Sequence, residues 1–233
     1  MSSPAVRPNP APDLAGIRHR MHGEDRKRQL LRIAIESFAR QGFGGTKTKD
    51  IAAAAGVSEA ILFRHFATKE DLYHAILDIK GTRDGASQRL RELEALAARR
   101  DDRALLRHLA LQLVQSFRED PAFHRLLLYA GLEGHLIADL FRQRFALPTG
   151  DFLRRYIALR QKEGAFRKCD PRVAVMFFFG SIVQYAMARH LFHVKAQPLE
   201  DATVTEELVE LVLGGLLKAA GESKGKAAHA KKD

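Results

Sequence analysis

Tryptophan is absent from this chain and cysteine occurs once, at Cys169. A lone thiol excludes an internal disulfide, so packing must hold the fold, and a reducing cytoplasm is the expected compartment. Proline is scarce where it would break helices: four of the eight prolines (Pro4, Pro8, Pro10, Pro12) crowd the first twelve residues. That opening stretch has no continuous apolar segment, which argues against a secretory leader. The most apolar run, Val173 to Met187, is interrupted by Gln184 and is read as shorter than the ~20 residues that span a bilayer. No alternating strand pattern, Gly-rich phosphate loop, metal triad or nucleophile–base arrangement stands out. An all-helical enzyme is therefore a poor reading, and no cofactor is called for.

What the chain has is helix formers and positive charge. Hydrophobic residues make up 46% and the formal net charge is +10, a balance that suits a soluble globular protein with a polyanionic partner. The charge does not locate that partner. Residues 17–80 hold 12 Lys/Arg against 8 Asp/Glu, residues 81–169 hold 17 against 11, and residues 170–220 hold 4 against 6.

The 3.6-residue periodicity predicts a series of helices. The first runs from about Glu24 to Gln41, with Leu30, Leu31, Ala34, Ile35 and Phe38 on one face and Gly42 as the stop. Short helices follow over about Thr48–Ala55 and Ser58–Phe66, then one capped at Thr68, with Asp71 three residues on, that ends near Gly81. Longer helices are predicted over Leu90–Ala98, Asp102–Phe117, from Asp120-Pro121 through Leu128, over His135–Glu163 with a break at Pro148, from Asp170-Pro171 to about Val194, and over Thr203–Ala220. The expected fold is all-α: a three-helix helix-turn-helix domain over 23–80 and a larger helical domain over 81–221. A disordered arm (1–22) and a disordered basic tail (222–233) flank them.

Residues 46–72 read TKTKDIAAAAGVSEAILFRHFATKEDL. Small alanines let a second helix cross closely. Gly56 can take the left-handed conformation that ends a helix, Val57 plugs the angle, and Ser58 can cap the next helix. Leu62 and Phe66, four apart, anchor that helix inward. Ala60, Ile61 and Arg64 then face outward, able to enter a major groove, where an isoleucine finds a reason for exposure in a thymine methyl group.

Together with the preceding helix, from about Arg26 to Leu77, this stretch resembles the DNA-binding domain of the tetracycline-repressor (TetR) family, with GFGGTKTKDIA, AGVS and LFRHFATKEDL in order. The resemblance implies that Thr48 contacts a phosphate and Lys49 a phosphate or base. It places Glu59, Ala60, Ile61 and Arg64 on the recognition helix, and gives His65 and Lys69 to the DNA backbone. Phe63 departs from the family pattern, which has a tyrosine there whose hydroxyl bonds a phosphate. Plainer roles stand beside these. Thr48 and Ser58 can be simple caps, His65 a boundary residue and Glu59 a helix-dipole partner, while Arg64 can reach guanine or phosphate.

One helix-turn-helix touches too few base pairs for genomic specificity, so a homodimer on a palindromic operator is expected. Its seam is expected at residues 171–194 and 203–220, the first apolar nearly all round and the second carrying Val204, Leu208, Leu211, Val212 and Leu216. The resemblance also implies a pocket for a small, hydrophobic effector, with His124, Tyr129, Tyr156, Gln184 and Tyr185 as candidate polar liners, and no membrane partner. His190 and His193, three apart, are a metal pair only on spacing, and no metal site is expected. The leading function is a repressor released from its operator by that effector. The alternative is an activator, or a regulator controlled by a protein partner.

Overall fold

The computed structural model describes residues 23–81, 86–194 and 199–217. The expected disordered arm, 1–22, and basic tail, 222–233, lie outside the described residues. Within them every regular element is helical, apart from one isolated antiparallel bridge between Phe166 and Leu217.

Helix α1 (Gly23–Gly45) turns sharply at Gly42, whose φ of 68° is the left-handed value that stops a helix. Three short or medium helices follow: α2 (Thr48–Ala54), α3 (Glu59–His65) and α4 (Lys69–Gly81). Thr68 and Asp71 form a reciprocal capping box at the start of α4. The Asp71 amide donates to Thr68 Oγ1 at 3.0 Å and the Thr68 amide to Asp71 Oδ2 at 3.1 Å.

The second part comprises α5 (Ala86–Arg99), α6 (Asp102–Glu119), α7 (Pro121–Leu132), α8 (Leu136–Phe141), α9 (Leu147–Lys162), α10 (Pro171–Ala186) and α11 (Asp201–Leu216). Both Asp-Pro pairs act as read: Asp120 accepts from the Phe123 amide and Asp170 from the Arg172 amide, each with proline in the first turn. The break expected at Pro148 takes a specific form. Pro148 has no N–H to return to the preceding turn, and α8 passes into α9 through a π-helical turn over Arg142–Ala146.

Two expectations are corrected. Helix α10 continues through a second π-helical turn, Met187–Leu191, so the apolar helix runs 21 residues, long and apolar enough to cross a membrane by length and composition. The sequence predicts the helix to about Val194; what is corrected is its apolar run, read as ending at Met187 and as shorter than a bilayer span. Helix α11 begins two residues earlier than the expected Thr203 and ends at Leu216, short of the expected Ala220, because Leu217 is extended and bridges to Phe166; residues 218–220 lie outside the described residues.

Packing divides the molecule differently from chain order. One core joins α1–α4 to α7 and α8, around Leu30, Phe38, Ile51, Leu62, Leu72, Tyr73, Ile76, Leu126 and Ile137. A second joins α5, α6, α9, α10 and α11, around Leu105, Leu106, Leu153, Phe166, Phe178, Ile182 and Val209. Phe117, Ala186 and Leu191 form a third, small cluster. Helix α7 thus packs with the helix-turn-helix, although it lies far beyond residue 80 in sequence.

Candidate nucleic-acid interface

Helix α2 presses Ile51 and Ala52 inward and ends in a Schellman turn. The Val57 amide bonds the Ala52 carbonyl at 3.0 Å, the Gly56 amide bonds that of Ala53 at 3.0 Å, and Gly56 sits at φ 67°. A side chain at Gly56 would pay the left-handed penalty, so this residue sets the angle between α2 and α3. Helix α3 is anchored by Leu62, 0% exposed, and by Phe66 at its end, 4% exposed. With those two buried, Glu59, Ala60, Phe63 and Arg64 are exposed and Ile61 is half-buried. Lys49 is exposed on α2. The seven-residue α3 therefore offers an outward face of small, apolar and cationic groups on a rigid support.

Several polar side chains do something other than expected. Ser58 occupies the N-cap of α3 with an extended backbone, but its hydroxyl makes no capping bond. The helix start is instead closed through the Ser58 carbonyl, which accepts from Ile61 and Leu62. Thr48 is not a cap either, because Lys47 fills that position at α2. The Thr48 hydroxyl donates to Glu59 Oε1 at 2.5 Å, tying the start of α2 to the start of α3. Glu59 thereby acquires a partner that spacing did not suggest. His65 is half-buried with its ring 6.4 Å from that of Phe66. Phe63 stands 41% exposed, an aromatic ring without a hydroxyl at the interface.

Lys69 is engaged within the protein. Its Nζ donates to the Phe43 carbonyl and lies 4.1 Å from the centre of the Phe43 ring. Partial burial pulls its pKa below the usual lysine range, against the opposing field of Glu70 and Glu133.

Sequence reasoning missed the residues that surround it. The Phe43 amide donates to Glu133 Oε2 at 3.1 Å, and the Phe43 ring lies 4.2 Å from His135 and 4.9 Å from Tyr73. Thr46, buried, places its hydroxyl on the Gly42 carbonyl at 2.7 Å. Thr46 and Phe43 stand inside the GFGGTKTKDIA string, so the motif marked them without assigning work. Glu133 and His135 gave no local signal, since their partners lie some ninety residues away.

The five candidate effector liners are not brought to one place. Tyr156 is buried in the second core with its hydroxyl on Asp102 Oδ1 at 2.6 Å, and Tyr185 donates to Asp201 Oδ1 at 2.7 Å. Both phenols are pushed up by burial and by those carboxylates, Tyr185 to about 12. Tyr129 and Gln184 are exposed. His124 stacks on Phe117 with ring centres 3.7 Å apart, its Nε2 3.1 Å from Ser116 Oγ, and burial pulls its pKa down to about 4. His193 lies past the end of the π-helical turn at φ 50°, so it does not share a helix face with His190. His190 Nε2 sits 3.3 Å from Asp201 Oδ2 instead. Among the described residues no cluster of three His, Cys, Asp or Glu could hold a metal ion. Cys169 is a half-buried residue whose Sγ lies 3.4 Å from Gln161 Nε2.

The comparisons with known proteins fall on the same residues. The family described as bacterial regulatory proteins, tetR family, matches residues 30–76, from the middle of α1 to the last turns of α4. The transcriptional regulator RutR of Escherichia coli K12 is 31% identical over 198 residues, covering 80% of this chain and 86% of the relative. The chain belongs to the tetR family. As a tetR-family protein it is a helix-turn-helix transcriptional regulator and not a member of an enzyme family. The transcriptional repressor KstR2 of Rhodococcus jostii is 29% identical over 213 residues, covering 90% of this chain and 97% of the relative. Among solved structures, AibR in complex with isovaleryl coenzyme A and operator DNA superposes with a TM-score of 0.57 at 23% identity, over 80% of this chain and 97% of that one. At that identity the superposition supports the tetR-family fold and nothing finer.

Proposed function

We propose that this regulator is a homodimeric repressor that grips a palindromic operator with two copies of α3 and releases it when a small molecule binds the C-terminal helices. The carrying observation is the anchoring of α3: Leu62 and Phe66 buried, Ala60 and Arg64 exposed. In this reading residues 23–80 form the DNA-reading unit and residues 81–221 the sensing and dimerising one. Ala60, Ile61 and Arg64 meet base edges, with Phe63 packing beside them. Lys49, Thr48, His65 and Lys69 meet phosphates, and Ser58 and Glu59 shape the start of α3. A repressor of this kind works in the cytoplasm, beside the chromosome.

Dimerisation is supported by what α10 and α11 leave uncovered. Val173, Met176 (69% exposed) and Phe177 (61%), three and four apart on one face of α10, and Leu211 (67%) on α11 are large apolar side chains left in water. A second copy covers them most simply, since the same two helices on the partner present the same surface. The length of the α10 helix is then the length of a seam. The effector is read as hydrophobic, and an acyl-coenzyme A is the first class to screen because AibR was solved with one. His124, Tyr129, Tyr156, Gln184 and Tyr185 stay in the proposal as residues a ligand would have to approach separately.

Selection of bound sequences from a random duplex pool by the full-length chain tests the core of this reading. A palindrome with half-sites about one helical turn apart is the expected product. An unstructured collection of sequences, bound no better than random DNA, overturns it.

A further inference from the structure

The residues that flank α7 reach α4 and its neighbour α1. At the start of α7, Asp120 Oδ2 takes the ammonium of Lys80, from the last turn of α4, while Asp120 Oδ1 accepts from the Phe123 amide at 3.1 Å. At its finish, α7 closes in a Schellman turn on Gly134 (φ 65°), with the His135 amide on the Ala130 carbonyl at 2.8 Å. That turn fixes the positions of Glu133 and His135. Buried Ala130 and Ile137 on either side root both residues in the first core.

Phe43 is held through the two peptides that flank its Cα. Glu133 takes its N–H, Lys69 takes its C=O, and the Phe43 ring lies under Lys69 and against His135. The Glu133 carboxylate makes a charge-assisted bond to the Gly42–Phe43 peptide and so fixes the backbone whose next carbonyl, that of Phe43, takes Lys69. Glu133 therefore holds Phe43 in place beneath Lys69, besides attracting the ammonium directly. An ammonium shared with the Phe43 carbonyl and ring face has fewer donors and less freedom to give a DNA phosphate.

We propose that Glu133 is a positioning residue for DNA binding: from the α7–α8 turn it holds Lys69 parked on Phe43 and so sets how firmly the regulator grips phosphate. This rests on reading Lys69 as a phosphate contact. A ligand that shifts α7 then acts on the DNA-reading unit at the α1–α2 turn as well as at the far end of α4. Tightening the Glu133–Phe43 contact loosens the grip on every DNA sequence, and opening the contact strengthens it.

The test uses the full-length chain, the duplex recovered by selection and a random duplex of equal length. Binding is followed by fluorescence anisotropy over a range of salt. Glu133→Ala is expected to tighten binding to both duplexes by about threefold or more and to steepen the log affinity against log salt slope by about one phosphate. Glu133→Gln keeps an acceptor for the Phe43 amide but loses the charge, so its gain is smaller, about twofold. Placed on Lys69→Ala, neither substitution changes affinity or slope. Circular dichroism checks folding, and should the alanine variant unfold, the glutamine variant and its Lys69→Ala pair carry the test. Unchanged or weaker binding in the folded Glu133 variants, or a gain that survives Lys69→Ala, overturns the parking role. A wild-type chain that binds neither duplex overturns the DNA-reading function itself.

Discussion

The two cores of this molecule finish their surfaces differently. The first, built from α1–α4 with α7 and α8, buries Leu62 of α3 and Phe66 at its end, and leaves outside a mixed face of Glu59, Ala60, Phe63 and Arg64. The second, built from α5, α6 and α9–α11, buries Phe178 and Ile182 of α10 yet leaves Val173, Met176 and Phe177 of the same helix in the open. A face such as that on α3 is stable in water and waits for a charged, hydrated partner. A face such as that on α10 is not, and calls for a permanent apolar cover. In the proposed reading, one region is finished for transient recognition and the other for assembly.

The contrast is broken most severely from inside the first core. Leu62→Ala removes a fully buried anchor of α3 and is expected to cost about 3 kcal/mol, with operator binding lost alongside. Urea unfolding compared with Arg64→Ala, which should leave stability within about 0.5 kcal/mol, checks that burial and recognition are separate faces of one helix.

The small cluster beside His124 is expected to respond to acid. His124 stacks on Phe117 in the small cluster, and its pKa of about 4 lies below the ordinary value of 6.5 because burial disfavours the charged ring and Lys80 adds to the effect. The unfolded chain takes up this proton first, so the stability His124 contributes is full above about pH 6.5 and is lost as the pH falls toward 4. The loss approaches about 3 kcal/mol. Thermal unfolding from pH 7 to 4.5 measures it, and His124→Phe should flatten that part of the profile. A profile unchanged by the substitution would place the acid sensitivity elsewhere.

Phe177→Glu sharpens the other side of the comparison. On an apolar seam it puts two like charges into the dimer contact, and sedimentation should show monomers at concentrations where the wild type is paired, a shift of about 2 kcal/mol or more in association. The monomer fold should survive, since Phe177 packs little in the subunit. The smallest effect belongs to the recognition face: Arg64→Ala should cost about 1 kcal/mol on the selected operator and alter the preferred base, while Lys69→Ala weakens all duplexes alike and flattens the salt dependence. Equal losses on both duplexes for both variants would remove the distinction between base and backbone roles.

Much of the first core was legible without coordinates. Gly56 is the one residue that turns between α2 and α3 at no steric cost, and the four-residue spacing of Leu62 and Phe66 declares which side of α3 is inner. Asp120-Pro121 and Asp170-Pro171 announced helix starts that the structure shows bond for bond. The polar detail of the interface was less legible. The Thr48–Glu59 bond and the bare hydroxyl of Ser58 depend on the crossing of two helices, where a side chain chooses among several partners within reach. The effector liners were the least legible. Tyr156 and Tyr185 look alike in a string of apolar residues, and only packing shows that Asp102 and Asp201 already hold their hydroxyls.

By itself the order of residues settled what depends on a few neighbours: helix periodicity, caps, the glycine turn and the family motif built from them. Those features are local because backbone torsions and first-turn hydrogen bonds are decided within about four residues. The tertiary structure alone decided that α7 belongs with the DNA-reading helices, that Glu133 reaches Phe43 across ninety residues, and that α10 keeps an apolar flank uncovered. Those depend on which surfaces of distant helices exclude water together, and that choice is made by the whole packed chain.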